Sequence, residues 1–254
     1  MLNFRLEGNG PPLLLLHGWG VTFTIWKNLT PLLAPHFQLV MVELPGFGES
    51  PVPDPGQPYF KACTDELEKL RQSLGIRDWA VLSYSVGTRV GEAYLNRYPD
   101  SVSTVIYLCP MYTSSARIRM LDSLVKLDRI WPDTGDWILS GWRVSFLIRA
   151  LGFNGRRHPY ARDWQREIDH QPGQSLKVVL REVARCGNVP FSPPVKPAIY
   201  IWGKKDHVVM GPRRPGSVDC TIHASHSAPM LAAPQIAEVV VRFLSSQAQK
   251  RQDE

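Results

Sequence analysis

Five short stretches of this chain are apolar at nearly every position rather than at every second one: residues 13–16, 39–42, 80–82, 104–108 and 198–202. A strand with one wet face alternates apolar and polar side chains. An unbroken run marks a strand covered on both faces, as inside a parallel sheet flanked by helices. Helical spacing lies between the runs. Thr64 is placed to cap a helix that carries Leu67, Leu70 and Leu74 and closes at Gly75. Ile236, Val239, Val240, Phe243 and Leu244 form one face of a final helix, and the polar tail from Ser245 is expected to fray. Alternating strands and helices predict the α/β class, with a doubly wound, mostly parallel sheet.

One stretch breaks that rhythm. Residues 111–190 hold no convincing strand run, but they carry Trp131, Trp137, Trp142 and Trp164 and helical spacing at Leu121, Leu124 and Val125. The expected organisation is therefore a core domain made of 1–110 and 191–254, with a helical cap over 111–190. At 254 residues the chain is long enough for one sizeable core. Its net charge of +6 is too weak to imply nucleic acid. Cys63, Cys109, Cys186 and Cys220 are widely spaced, with neither zinc-ligand nor disulfide-framework spacing. Cys109 and Cys220 fall in apolar runs and read as buried free thiols. The run 13–16 is too short to span a membrane and no small-residue cleavage site follows it, so a soluble cytoplasmic protein without a membrane span is expected.

The chemistry is carried by four places in the chain. Ser83-Tyr84-Ser85-Val86-Gly87 follows the run 80–82 and precedes a helix-like segment at 89–98. A serine between small residues at a strand-to-helix turn is the arrangement of a nucleophile elbow, where tight backbone pushes the hydroxyl out of the sheet. The helix start sets the Val86 N–H beside a developing oxyanion. The plain alternative is a serine capping an ordinary turn. His17-Gly18-Trp19-Gly20 follows the first run. Gly18 lets backbone approach a substrate, and the Trp19 N–H is the second candidate oxyanion donor. Alone, this motif reads better as a glycine turn with a satisfied histidine.

Asp206 follows the run 198–202, at the strand end that faces the ligand crevice of such sheets. His226 lies just before the last helix, with His207 and His223 as competitors. His207 adjoins Asp206 and points elsewhere by strand alternation, and His223 belongs in or beside a strand at 218–222 as a structural residue. Ser85, Asp206 and His226 each follow a predicted strand, in the order nucleophile, acid, base, and a glycine turn precedes them. Together these signals outweigh the plain reading of each.

With these motifs and Glu43-Leu44-Pro45-Gly46-Phe47-Gly48-Glu49-Ser50, the chain resembles the α/β-hydrolase superfamily over nearly its whole length. Within it, the string from Leu13 to Gly20, that turn and the arginine-bearing cap are most similar to pimeloyl-acyl-carrier-protein methyl ester esterase-like carboxylesterases. The resemblance implies a serine carboxylesterase with Ser85, Asp206 and His226 as triad and Gly18, Trp19 and Val86 at the oxyanion. It implies no metal and no organic cofactor. Its rivals are another reaction on the same scaffold (C–C hydrolase, lactonase or lyase) and a non-catalytic ligand receptor.

Three departures stand out: Ser83 where glycine is usual, Glu43 where aspartate is usual, and a short interval from Asp206 to His226. The basic cap points to an acidic partner such as acyl carrier protein, with a solvated, mildly basic surface as the plain alternative. Residues 111–190 hold thirteen Lys and Arg against eight Asp and Glu, which is +5 of the chain's +6. Arg143, Arg149, Arg156 and Arg157 are the partner-binding candidates, with Arg117, Arg119 and Arg162 beside them.

Overall fold

The computed structural model describes all residues except 55, 132–136, 138–141, 144–145, 147, 154, 156–157, 211–217 and 254. The apolar runs become strands of one seven-stranded sheet: β1 Phe4–Glu7, β2 Pro12–Leu16, β3 Gln38–Val42, β4 Trp79–Tyr84, β5 Val102–Leu108, β6 Ala198–Gly203 and β7 Asp219–Ile222. Their order across the sheet is β1-β3-β2-β4-β5-β6-β7. Only β1, on the edge, runs antiparallel to its neighbour. Leu13, Leu14, Leu15 and Leu16 are wholly buried, as a strand covered on both faces requires. Each such side chain contributes roughly 1.5–3 kcal/mol of burial.

The order of strands decides where a site can form. From β2 the chain steps one way to β3, and β4 then lies on the other side of β2. The connections after β2 and β4 therefore leave the sheet in different directions. A crevice opens at their carboxyl ends, where sheets of this kind bind ligands.

Helices α1 Thr30–Leu33, α2 Tyr59–Ser73 and α3 Gly87–Arg97 precede β5. Between β5 and β6 lie α4 Ser115–Ile130, one π-helical turn at Ile148–Gly152, α5 Pro159–His170 and α6 Gly173–Cys186, with no strand among the described residues. Helices α7 Ala228–Leu231 and α8 Ala233–Asp253 close the chain. No described helix is long and apolar enough to cross a membrane.

Three local expectations need correction. Helix α2 begins after Pro58, not at Thr64, because Tyr59, Ala62 and Cys63 supply a further buried turn. The Thr64 hydroxyl instead donates to the Lys61 carbonyl within the helix (2.9 Å). The tail beyond Ser245 does not fray, since the Arg251 guanidinium donates to the Ser103 carbonyl and lies 3.7 Å from Asp78. Cys220 is only half-buried because β7 is an edge strand, while Cys109 is fully buried; both thiols are free.

One buried guanidinium fastens the helices between β5 and β6 to the sheet. Arg89 on α3 donates to the carbonyls of Met111 (3.0 Å) and Val189, pairs with Glu92 (3.0 Å) and stacks 3.9 Å from the Phe191 ring centre. Helices α5 and α6 then lie over the loops after β2 and β3. Trp19 Nε1 donates to the Leu176 carbonyl (3.0 Å), Gly48 N–H to Gln171 Oε1 (2.9 Å), Thr22 Oγ1 to Glu167 Oε2 (2.8 Å) and Asn28 Nδ2 to Tyr160 Oη (3.0 Å).

A tight joint lies where α3 meets the end of β2. A Cβ on Gly87 would meet the carbonyl oxygens of His17 at 2.4 Å and Leu16 at 2.7 Å. Alanine normally stabilises a helix relative to glycine by about 1 kcal/mol. Here overpacking reverses the sign, and Gly87→Ala should lower unfolding free energy by about 1–3 kcal/mol. Gly56→Ala, where a Cβ meets nothing within 4 Å, should be neutral within about 0.5 kcal/mol. Urea unfolding midpoints of the two variants test this difference.

Candidate active site

Ser85 is the first residue past β4, and its backbone is left-handed at φ 53°. Its N–H still holds the Leu108 carbonyl (3.0 Å), so the turn starts inside the sheet ladder. Helix α3 begins two residues later, at Gly87. Ser83, in place of the usual glycine, fits because Gly91 faces it: a Cβ there would lie 3.1 Å from Ser83 Oγ. The Ser83 hydroxyl is satisfied by the Ile106 carbonyl (3.2 Å).

The fold brings Ser85, His226 and Asp206 together from three connections. Ser85 Oγ lies 2.9 Å from His226 Nε2, and His226 Nδ1 lies 2.8 Å from Asp206 Oδ2. Asp206 Oδ1 accepts the N–H groups of Val208 (2.8 Å) and Val209 (3.1 Å). A carboxylate only accepts, so Nδ1 carries the proton and Nε2 is left to accept from the serine. Burial opposes charge on Asp206, but His226 and the two amides outweigh it and hold the carboxyl below its ordinary range.

The competing histidines lie elsewhere. His207 and His223 are exposed; the His207 carbonyl takes Arg117, and the His223 N–H donates to Gln235. His223 falls just past β7, as a structural reading expects.

The loop after β2 closes over the serine. A Cβ on Gly18 would lie 3.0 Å from the Ser85 Cβ, so the Gly18 backbone touches the elbow. Val86 is the cap residue of α3. The Trp19 side chain is held by α6, as above. His17 is fully buried, its Nδ1 2.8 Å from the Gly18 carbonyl and its Nε2 accepting the Leu44 N–H (2.9 Å). Burial drives its pKa down to about 4 against the Gly18 hydrogen bond, so it is neutral and structural.

Glu43 is also a brace. Its carboxylate accepts Asn3 Nδ2 (2.8 Å) and the Glu49 N–H (2.7 Å), pinning the turn at 44–50.

Two contributors were not read from the sequence. The Tyr84 hydroxyl donates to the His226 carbonyl (2.7 Å), tying the histidine loop to β4. Tyr84 sits inside the elbow motif as its variable residue, so only strand alternation marked its direction. Cys109 lies beside Asp206 and His226, with ligand-type atoms of all three within 4.8 Å of one another. Among the described residues this is the one such grouping. Asp206 is already committed to His226 and two amides, so the set reads as a hydrogen-bonded relay rather than a metal cage.

Of the partner candidates, Arg143 stacks on Trp137 (3.7 Å) and Trp142 (5.2 Å), and Arg149 is half-buried. Arg156, Arg157 and residues 211–217 of the interval before His226 lie outside the described residues. Arg119 and Arg162 are exposed, and Arg117 is held on the Asp206 loop by the carbonyls of His207 and Val208.

The profile of the alpha/beta hydrolase fold family matches residues 11–143, a little over half of the chain. The chain belongs to the α/β-hydrolase family. A pimeloyl-[acyl-carrier protein] methyl ester esterase of Aeromonas hydrophila is 23% identical over 93% of this chain and 96% of its own. Among solved structures, a thermophilic esterase from Thermogutta terrifontis superposes with TM-score 0.77 at 23% identity, covering 97% of this chain and 93% of that one. An enol-lactonase from Burkholderia xenovorans LB400 gives TM-score 0.77 at 18% identity, with 96% of each chain covered. This α/β-hydrolase therefore shares its fold with enzymes of differing reaction, and the residues at the site must carry any finer reading.

His17 gives a pH test of how the loop after β2 is held. Its folded pKa of about 4 lies below the ordinary 6.5. The unfolded chain therefore takes up the proton first as pH falls. The His17 contribution is complete above about pH 6.5 and is lost between there and about pH 4, amounting to about 3 kcal/mol. Glu68, held down to about 2 chiefly by Arg71, loses its contribution at lower pH, so the windows separate. Urea unfolding across the upper window should show the slope, and His17→Gln should flatten it.

Proposed function

We propose that this α/β-hydrolase is a serine carboxylesterase with Ser85 as nucleophile, His226 as base and Asp206 as its orienting acid. What carries the reading is the continuous hydrogen-bonded line from Ser85 through His226 to Asp206, ending at the strand crevice. As Ser85 attacks the ester carbonyl carbon, its proton passes to His226 Nε2. The oxyanion is met by the N–H groups of Trp19 and Val86. The tetrahedral intermediate collapses, and the alcohol leaves with the proton from His226. Water, deprotonated by His226, then cleaves the acyl-enzyme to the acid and free Ser85.

The substrate we propose is a methyl ester on an acyl chain borne by acyl carrier protein, as in the name of the Aeromonas relative, with a role in biotin synthesis. The helices over 111–190 would act as the cap, and their net positive charge would meet the acidic carrier at the mouth of the site. We place the enzyme in the cytoplasm.

Three variants test the chemistry. Ser85→Ala should abolish fluorophosphonate labelling and lower kcat on p-nitrophenyl esters by ~10⁴ or more, with His226→Ala close behind because the residues act as a unit. Asp206→Asn should lower kcat by ~10³ through the wrong imidazole tautomer. Near-normal turnover by Ser85→Ala, or labelling without any ester turnover by the native protein, would defeat the esterase reading.

The carrier has its own test. Exposed charges are screened within about 10 Å at 0.1 M salt. Rising salt should lower kcat/KM on a carrier-linked methyl ester but leave a small free methyl ester nearly unchanged. Arg119→Glu with Arg162→Glu should do the same at low salt. Equal responses of both substrates would make this a small-ester hydrolase.

A further inference from the structure

Cys109 is the first residue past β5, as Ser85 is the first past β4. Tyr84 pairs with Leu108 across the sheet, so the residues that leave the two strands next are neighbours. Cys109 also keeps its place in the ladder, donating its N–H to the Ile201 carbonyl (2.8 Å). Its φ is 46°, and among the described residues Ser85 and Cys109 are the two non-glycine positions with positive φ. Left-handed backbone costs an ordinary residue about 1–2 kcal/mol, so a second instance beside the nucleophile calls for a cause. Its sulfur is one of the three ligand-type atoms grouped with Asp206 and His226.

We propose that Cys109 is a positioning residue, its S–H donating to the Asp206 carboxylate and fixing the acid against His226. The proposal rests on the esterase reading of the site. Burial first, then the negative charge of Asp206 and the hydrogen bond to it, pushes the Cys109 thiol well up against the opposing pull of the Gly203 N–H, so the sulfur keeps its proton and has it to offer the carboxylate. Two neighbouring donors are already engaged. Tyr84, its ionisation pushed well up by burial, spends its hydroxyl on the His226 carbonyl, and Arg117 from α4 spends its guanidinium on carbonyls of the Asp206 loop. The bland alternative is that Cys109 fills space as a small apolar side chain.

The two readings rank the same pair of variants oppositely. Cys109→Ser keeps a donor, and Cys109→Ala removes it; both carry the same left-handed backbone. Cys109→Gly suits that backbone and also lacks the donor, so it replaces Cys109→Ala if the latter fails to fold. A positioning role predicts Cys109→Ser within about twofold of the native kcat. Cys109→Ala should lose about three- to tenfold in kcat, the worth of one hydrogen bond, with KM unchanged. Without the donor, more negative charge faces the imidazole, so the acid limb of kcat/KM should move up by about half a pH unit in Cys109→Ala and stay in place in Cys109→Ser.

The readouts are pH–rate profiles on a short p-nitrophenyl ester and the ¹H NMR resonance of the His226 Nδ1–H proton. That resonance should shift or vanish in Cys109→Ala and persist in Cys109→Ser. Equal loss in both variants, or a worse Cys109→Ser, with an unmoved acid limb, overturns the proposal. If the native protein turns over no ester, the esterase reading fails instead, and the Nδ1–H resonance alone decides the role of Cys109.

Discussion

Ser85 can face the crevice only because its backbone turns left-handed at the end of a buried parallel strand. Such a conformer costs about 1–2 kcal/mol and persists only where neighbours enforce it. Here the N–H of Ser85 is held by β5, and its carbonyl takes both the Thr88 N–H (3.0 Å) and the Thr88 hydroxyl. Thr88 Oγ1 in turn accepts the Met111 N–H (3.0 Å), the point where the chain leaves for the helices between β5 and β6. The turn is so tight that α3 runs against the end of β2, which admits glycine alone at position 87. That contact fixes the His17-Gly18-Trp19 loop against Ser85. Sheet order, elbow, glycine and loop are thus one steric solution.

The buried charges follow from the same crowding. His17 and His226 are both buried, yet they are set up oppositely. His17 faces a carbonyl and an amide, with no carboxylate against it, so burial keeps it neutral and it serves only to join the loops after β2 and β3. His226 faces Asp206, which stays ionised because amides and the imidazole replace the water it lost. His226 thus has a carboxylate on one ring nitrogen and a hydroxyl on the other, whereas His17 has neither.

Much of this was legible in the sequence because the physics was local. Unbroken apolar runs located five central strands, and a strand followed at once by Ser-Tyr-Ser-Val-Gly located the elbow. Element ends were less legible, because tertiary partners set them. Arg251 holds the last turns of α8 through Ser103, a residue 148 positions away. Thr64 has the chemistry of a cap, but Pro58 and Tyr59 had already started its helix. Tyr84 and Cys109 were invisible as site residues, since their partners at 226 and 206 meet them only when the sheet is assembled. Strand alternation gives the direction of a side chain but not what waits there. Ser83 and Glu43 looked like departures, and each is compensated by a residue distant in sequence, Gly91 and Asn3.

The charge of the helices between β5 and β6 obeys a different logic from that of the site. Their described acids are largely engaged with nearby bases: Asp122 with Lys126, Asp128 with Lys177 and Arg181, Asp163 with Lys27 and Arg166, and Glu182 with Arg185. Apart from those of the buried Asp128, such pairs contribute about 0–1 kcal/mol, so the fold has little need of the basic excess left over. Unpaired surface charge of one sign repels itself and slightly opposes compactness. Its useful effect is at long range, on the rate and orientation with which an oppositely charged molecule arrives. The chemistry depends on angstrom-scale contacts that tolerate almost no change. Under the proposed function, substrate delivery would depend instead on a summed field that any one arginine alters only by degree.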